Sequence, residues 1–178
     1  AEELAYIVNN SESQLLVTSE ACFGVARQAL ADCPKVAMCL VVGGGPGVEG
    51  RAGTAIVRDY DTVLAAYSDT PVADEFLGSA MLYSSGTTGR PKGVLRPLPE
   101  NPPSEPLPLF GFLNKLWQCE EGMVYLSPAP LYHSAPLANV GLTLRNGGTV
   151  IIMERFDPQQ YLALVERYRI THTQLVPT

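Results

Sequence analysis

Positive charge is scarce in this sequence. Twelve Lys and Arg stand against eighteen Asp and Glu, a net charge of −6 at neutral pH. That balance argues against nucleic acid as a partner, because duplex binding draws on cations to neutralise phosphates. Long apolar runs are missing as well. The longest, Val36 to Val42, has seven residues, against the roughly 20 that a membrane-spanning helix takes, so no transmembrane segment is expected. No charged-then-apolar leader opens the chain. The four cysteines Cys22, Cys33, Cys39 and Cys119 form no C-x-x-C pair and have no histidine at zinc-ligand spacing. Free thiols, a cytoplasmic location and no protein-held metal are therefore expected. Disorder is disfavoured too, since 46% hydrophobic and 17% charged residues describe an ordinary globular chain.

What is present alternates between helical and extended patterns. Leu4, Ile7 and Val8 share one face of a helix that opens the chain, "QLLVT" reads as a strand, and Ser19 is placed to cap a helix running to about Asp32. "KVAMCLVV" is a buried strand followed by a glycine-rich loop, Asp59 to Tyr67 reads as a short helix, and "SAMLYSS" as a further apolar strand. Prolines crowd residues 96–108, which predicts a loop. Beyond it come a helix over Leu109 to Gln118, a strand and a proline-punctuated turn in "MVYLSPAPLYHS", a helix to Arg145, and the strand "TVIIM". The next helix has Asp157 as its cap, Pro158 at its first position, and Tyr161, Val165 and Tyr168 along one face. "THTQLVP" reads as a last strand. This order implies an α/β fold with a mainly parallel sheet and flanking helices. The chain opens on Ala1 within a helical pattern and closes just after a strand, so both ends are expected to continue in a longer protein.

Two glycine loops compete for attention. Gly45, Gly47 and Gly50 spell G-x-G-x-x-G after a strand, which is the dinucleotide fingerprint on paper. The fingerprint needs a helix opening inside it to face the pyrophosphate, and Pro46 with "EGRAGTAIVRD" offers no helical period. A flexible surface loop is the expectation there, and NAD binding is not. The second loop, "YSSGTTGRPKGV" from Tyr83 to Val94, combines unhindered amides at Gly86 and Gly89, hydroxyls on Thr87 and Thr88, and the point charge of Lys92. It is not a Walker loop, because Lys92 stands between Pro91 and Gly93 and is expected in extended or turning chain, not in a helix.

"YSSGTTGRPKGV" resembles the phosphate-loop signature of the adenylate-forming superfamily, whose members include acyl-CoA synthetases, aryl-CoA ligases, luciferases and peptide-synthetase adenylation domains. Every position of the [ST]-[ST]-G-[ST]-T-G-x-P-K-G core is met from Ser84 to Gly93. "LSPAPLYHSAPL" resembles a second motif, and "GGTVIIMERFDPQQYLALVERYRITHTQLVPT" the strand, helix and strand that follow it. Where members often carry a Thr-His or Ser-His pair soon after the lysine, this chain reads Pro97-Leu98.

The resemblance implies a reaction and roles. A carboxylic acid, a fatty acid foremost, is activated with Mg²⁺-ATP as an acyl-adenylate and passed to coenzyme A, with pyrophosphate leaving. Thr87, Thr88 and Lys92 would hold the phosphates, Ser84, Ser85, Gly86 and Gly89 would shape the loop, and Arg90 at the variable position would face solvent. His133 would lie near the carboxylate, or else cap or pack at the start of its helix. His172 reads as a hydrogen-bonded core residue and Trp117 as core. The family's adenine-binding, ribose-binding and hinge segments have no counterpart here. Residues 1–178 are therefore expected to be part of an AMP-binding domain that lacks portions on both sides, is inactive alone and is prone to self-association. Aryl-CoA ligase, amino-acid adenylation domain and non-catalytic nucleotide-binding module remain open as alternatives.

Overall fold

The computed structural model describes residues 1–84 and 89–176. The chain divides into two compact units, Ala1–Glu100 and Asn101–Thr178. The first begins with α1 (Glu2–Asn10), β1 (Leu15–Ser19), α2 (Glu20–Leu30) and β2 (Met38–Val42). The short strand β3 (Gly50–Ala52), β4 (Ala55–Asp59) and α3 (Tyr60–Leu64) follow, and then a separate hairpin of β5 (Leu82–Ser84) and β6 (Lys92–Val94). The main sheet has the order β1-β2-β4-β3; β1, β2 and β4 run parallel, and β3 turns back antiparallel along β4. Helix α2 is the crossover that parallel β1 and β2 need.

The apolar pattern decides where the core lies. Ala5 and Val8 of α1, Ala29 and Leu30 of α2, Cys39 and Val41 of β2, and Ala55 and Val57 of β4 meet on one face of the sheet. The small residues Ala5, Ala29 and Ala55 let helix and sheet backbones approach. Leu15, Val17 and Ile56 alternate to the other face and are about half exposed. All four cysteines are free; burial pushes the thiols of Cys33, Cys39 and Cys119 up in pKa, which keeps them protonated and unreactive.

Three sequence expectations need adjustment in this unit. Ser19 occupies the cap position of α2, but its side chain makes no cap hydrogen bond. The glycine-rich turn is not a loose loop: Pro46–Val48 form a 3₁₀ turn and Gly50 enters β3, so the hairpin "EGRAGTAIVRD" was hidden by its short, mixed strands. The helix after it is shorter than Asp59 to Tyr67, because Asp59 is its cap and not its first turn.

Asp59 is buried at the end of β4. The Thr62 hydroxyl donates to its Oδ1 at 2.7 Å and the Thr62 amide at 2.9 Å. These bonds, with a further backbone one from Gly45, hold its carboxyl below the usual aspartate range against the opposing effect of burial. A carboxyl depressed in the folded state stabilises above the ordinary aspartate pKa and loses that contribution as pH falls through its lowered value. Asp59→Asn is thus expected to flatten the acid limb of a plot of urea midpoint against pH. An unchanged acid slope would remove Asp59 from the account.

The second unit contains α4 (Pro108–Leu116), β7 (Val124–Ser127), α5 (Ser134–Arg145), β8 (Thr149–Ile152), α6 (Pro158–Tyr168) and β9 (His172–Thr173). Its sheet is wholly parallel, in the order β8-β7-β9. The chain steps from β7 to β8 on one side and then crosses back over β7 to β9. With right-handed crossovers, that reversal puts α5 and α6 on opposite faces. No regular element lies between Val94 and Pro108, where the prolines withhold amide donors. Asp157 caps α6 by accepting from the Gln160 amide at 2.7 Å, with Pro158 at the first position. On α6, Tyr161 and Val165 are half-buried while Tyr168 is exposed. Only His172–Thr173 of "THTQLVP" forms a strand among the described residues. The result is a mixed α/β fold with mainly parallel pairing, as the sequence implies.

Candidate functional site

The phosphate-loop motif is set on the β5–β6 hairpin. Its ladder pairs Leu82 with Val94, Tyr83 with Gly93 and Ser84 with Lys92. Directly opposed residues project from the same face, with Cβ atoms about 4.5–5.5 Å apart. Ser84 and Lys92 therefore start side by side, both exposed. Lys92 is in a strand, as its proline and glycine neighbours predict. Gly89 adopts φ +89°, a backbone region that suits glycine. Ser85, Gly86, Thr87 and Thr88 lie outside the described residues.

Two aromatic contacts fasten this hairpin to α1. The Tyr83 hydroxyl donates to Asn10 Oδ1 at 2.7 Å, and the Arg90 guanidinium stands 5.4 Å from the Tyr6 ring centroid, within cation–π range. Arg90 is exposed, as expected of a variable position, yet it lies over a ring and not free in solvent. Gly93 has its own reason: a Cβ there would sit 2.5 Å from Met81 Cε and 2.9 Å from Tyr83 Cζ. The ring of Tyr83 thus covers its cross-strand glycine. Sequence reasoning gave Tyr83 and Tyr6 no role; only the alternation of strand faces could have hinted at one for Tyr83.

His133 belongs to the second unit, at the cap position of α5. Its side chain makes no cap bond, so the capping reading falls. The ring is exposed and packs beside Tyr132, with centroids 4.5 Å apart. The first amides of α5, at Ser134 and Ala135, lack acceptors within the helix, and Pro136 removes the next one. An exposed imidazole next to such a helix end can hold an anion.

His172 keeps the expected hydrogen bonds, to Thr171 Oγ1 at 2.7 Å and to the Trp117 carbonyl at 2.9 Å, but it is half-buried and not core. Trp117 is 39% exposed, a departure from the expected core position, because it ends α4 with one face left open. Among the described residues no group of three or more His, Cys, Asp or Glu side chains could hold a metal ion. No helix among them is long and apolar enough to cross a membrane.

The dinucleotide reading of Gly45, Gly47 and Gly50 fails on geometry. No helix follows the turn, and the Gly45 amide, one of those a pyrophosphate would need, is turned to the buried Asp59 carboxylate. An internal anion already fills that place.

By architecture the chain is of the acid–CoA ligase type. Over 99% of its length it superposes, with a TM-score of 0.72 and 20% identity, on 42% of a protein from Rhodopseudomonas palustris assigned as a long-chain-fatty-acid CoA ligase. It also matches 32% of an amide bond synthetase from Marinactinospora thermotolerans, with a TM-score of 0.65 and 26% identity. The chain belongs to the family of AMP-binding enzymes, whose model matches residues 1–178, in keeping with the adenylate-forming resemblance. It is 28% identical to a crotonobetaine/carnitine–CoA ligase of Citrobacter koseri, over 99% of this chain and 33% of that protein. To 4-hydroxybutyrate–CoA ligase 2 of Metallosphaera sedula it is 27% identical, over 99% of this chain and 32% of the relative. The chain thus spans about a third of the length of these curated relatives.

Proposed function

We propose that these residues serve an ATP-dependent, cytoplasmic acid–CoA ligase acting on an aliphatic acid, with fatty acids the first class to test. The observation that carries this reading is the Ser84–Lys92 pair at the base of the phosphate-loop motif, in a chain of the AMP-binding family. A substrate carboxylate attacks the α-phosphorus of ATP; an acyl–oxygen–phosphorus bond forms, the α–β phosphoanhydride breaks and pyrophosphate departs. The thiolate of coenzyme A then attacks the acyl carbon and AMP leaves. Lys92 and Ser84, with Ser85, Gly86, Thr87, Thr88 and Gly89, hold the β- and γ-phosphates, where negative charge gathers as pyrophosphate separates. His133 and the first amides of α5 hold the carboxylate. Magnesium would arrive with the nucleotide, since no metal cluster occurs among the described residues. The 178 residues supply the phosphate clamp and part of the acid site, and turn over only within a longer protein.

The test compares two preparations in acid-dependent ATP–pyrophosphate exchange, using aliphatic, aryl and amino acids. One is the 178-residue chain; the other is a chimaera in which these residues replace the corresponding third of an acid–CoA ligase relative. Exchange by the chimaera alone is the expected result. Exchange by the 178 residues alone would overturn the partial-site reading. ATP binding by both without exchange by either would favour a non-catalytic nucleotide module, and no ATP binding would sink the proposal.

A further inference from the structure

Within Asn101–Thr178 a cavity of about 370 Å³ lies between one face of the sheet and the helices α4 and α5. Trp117, Met123 and Leu142 give it apolar walls, and Tyr125, Asn139 and Gln174 give it polar ones. Tyr125 is only 3% exposed and its hydroxyl has no hydrogen-bond partner; the same holds for the fully buried Ser127 hydroxyl two residues along the same strand face. Burial pushes the Tyr125 phenol up in pKa, an effect the nearby Ser127 hydroxyl opposes only in part, so Tyr125 is a neutral donor. Buried hydroxyls left without partners are rare in folded proteins and call for an explanation.

The neighbouring polar groups are already engaged. Thr143 Oγ1 donates to the Asn139 carbonyl at 2.8 Å, Thr173 Oγ1 to the Leu126 carbonyl at 2.9 Å, and both nitrogens of His172 are bonded. Asn139 Nδ2 donates to Gln174 Oε1 at 2.8 Å. By amide stoichiometry that bridge leaves Asn139 Oδ1 to accept and Gln174 Nε2 to donate. The wall thus presents donors and an acceptor together, the complement of a hydroxyl, which both gives and takes a hydrogen bond. Direction agrees with this. Asn139 lies about 9 Å down α5 from His133 at 1.5 Å rise per residue, so a chain held by its carboxylate at His133 would carry its tail towards the bridge.

We propose that this cavity receives the tail of the substrate acid and reads a hydroxyl on it through Tyr125 and the Asn139–Gln174 pair. The acid is then a hydroxylated aliphatic acid in preference to an unsubstituted fatty acid. This rests on the acid–CoA ligase reading above.

Two probes decide it: hexanoate, and hydroxyhexanoate with its hydroxyl on the terminal carbon. A site built to bond a hydroxyl rejects the analogue that lacks it, so the hydroxy acid is expected to exceed hexanoate in exchange kcat/KM in the chimaera by at least about tenfold. Tyr125→Phe is expected to bring that ratio towards one. The same change removes an unpartnered buried hydroxyl, so it should not lower the melting temperature. Equal kcat/KM for the two acids, or a ratio that Tyr125→Phe leaves intact, overturns the proposal while the ligase reading stands. Saturation-transfer NMR on the 178-residue chain separates the two claims. Transfer between hydroxyhexanoate and the Tyr125 ring without exchange upholds the tail site and removes the ligase reading. Neither transfer nor exchange, as for a cavity holding only water, removes both.

Discussion

Lys92→Ala is expected to lower acid-dependent pyrophosphate exchange by about 10²–10³, the usual loss when one preorganised donor to a developing anion is removed. The ladder makes this a clean test. Lys92 is exposed on β6 and contributes its backbone, not its side chain, to the pairing with Ser84. Truncation should therefore leave the hairpin, and the urea midpoint, close to unchanged. Among the described residues Lys92 joins neither of the two ion pairs, Lys35–Glu12 and Arg58–Glu49, so no carboxylate is left bare when it goes. ATP titration of the 178-residue chain gives a second reading. A charge-assisted bond contributes about 1.5–3 kcal/mol, which corresponds to a weakening of roughly tenfold to a hundredfold. Exchange that survives Lys92→Ala within a factor of a few would take the phosphate role from this residue.

The second large effect is structural. Gly53→Ala should destabilise the first unit by about 3 kcal/mol or more, at the upper end of what single substitutions do. Gly53 adopts φ +58° in the β3–β4 turn, a conformation that costs an L-residue roughly 1–2 kcal/mol. A Cβ there would also strike the carbonyl oxygen of Leu30, the last residue of α2. Both collision partners are backbone, so no side-chain rotation relieves the clash. Thr54 beside it reaches the Pro34 carbonyl at 3.3 Å, which holds the turn in place and keeps it from sliding away. A urea midpoint within error of the parent's would mean that the turn repacks, and that the α2 end is softer than its 1% exposed Leu30 implies.

The parallel α/β plan was legible because its signals are local and mutually consistent. The Val36 to Val42 run could only be a buried strand, and Asp157-Pro158 names the start of α6 without ambiguity. The β3–β4 hairpin was not legible, since Gly50–Ala52 is too short to show alternation. Trp117 was misplaced because composition reports what a residue prefers, and its position at the end of α4 is set by the fold. In the site, a ten-residue motif was enough to find Lys92 and Ser84. What fastens the motif was not visible: the Tyr83–Asn10 and Arg90–Tyr6 contacts join residues far apart in sequence, and no local pattern records them. The Tyr125 hydroxyl went unseen for a related reason. A tyrosine in an apolar strand reads as core until its hydroxyl is found without a partner.

The chain holds two glycine-rich turns of similar composition, and Asp59 keeps their chemistries apart. Through Gly45 it supplies one of them with a built-in counter-anion, so that turn is electrostatically sated before any nucleotide arrives. The turn that ends in Lys92 is on the other side of this ledger and carries a positive charge of its own. A triphosphate meeting both would therefore be sorted by occupancy and not by glycine content. Loss of the Asp59 charge would blur that sorting, and would turn a structural bend into a weak competitor for phosphate.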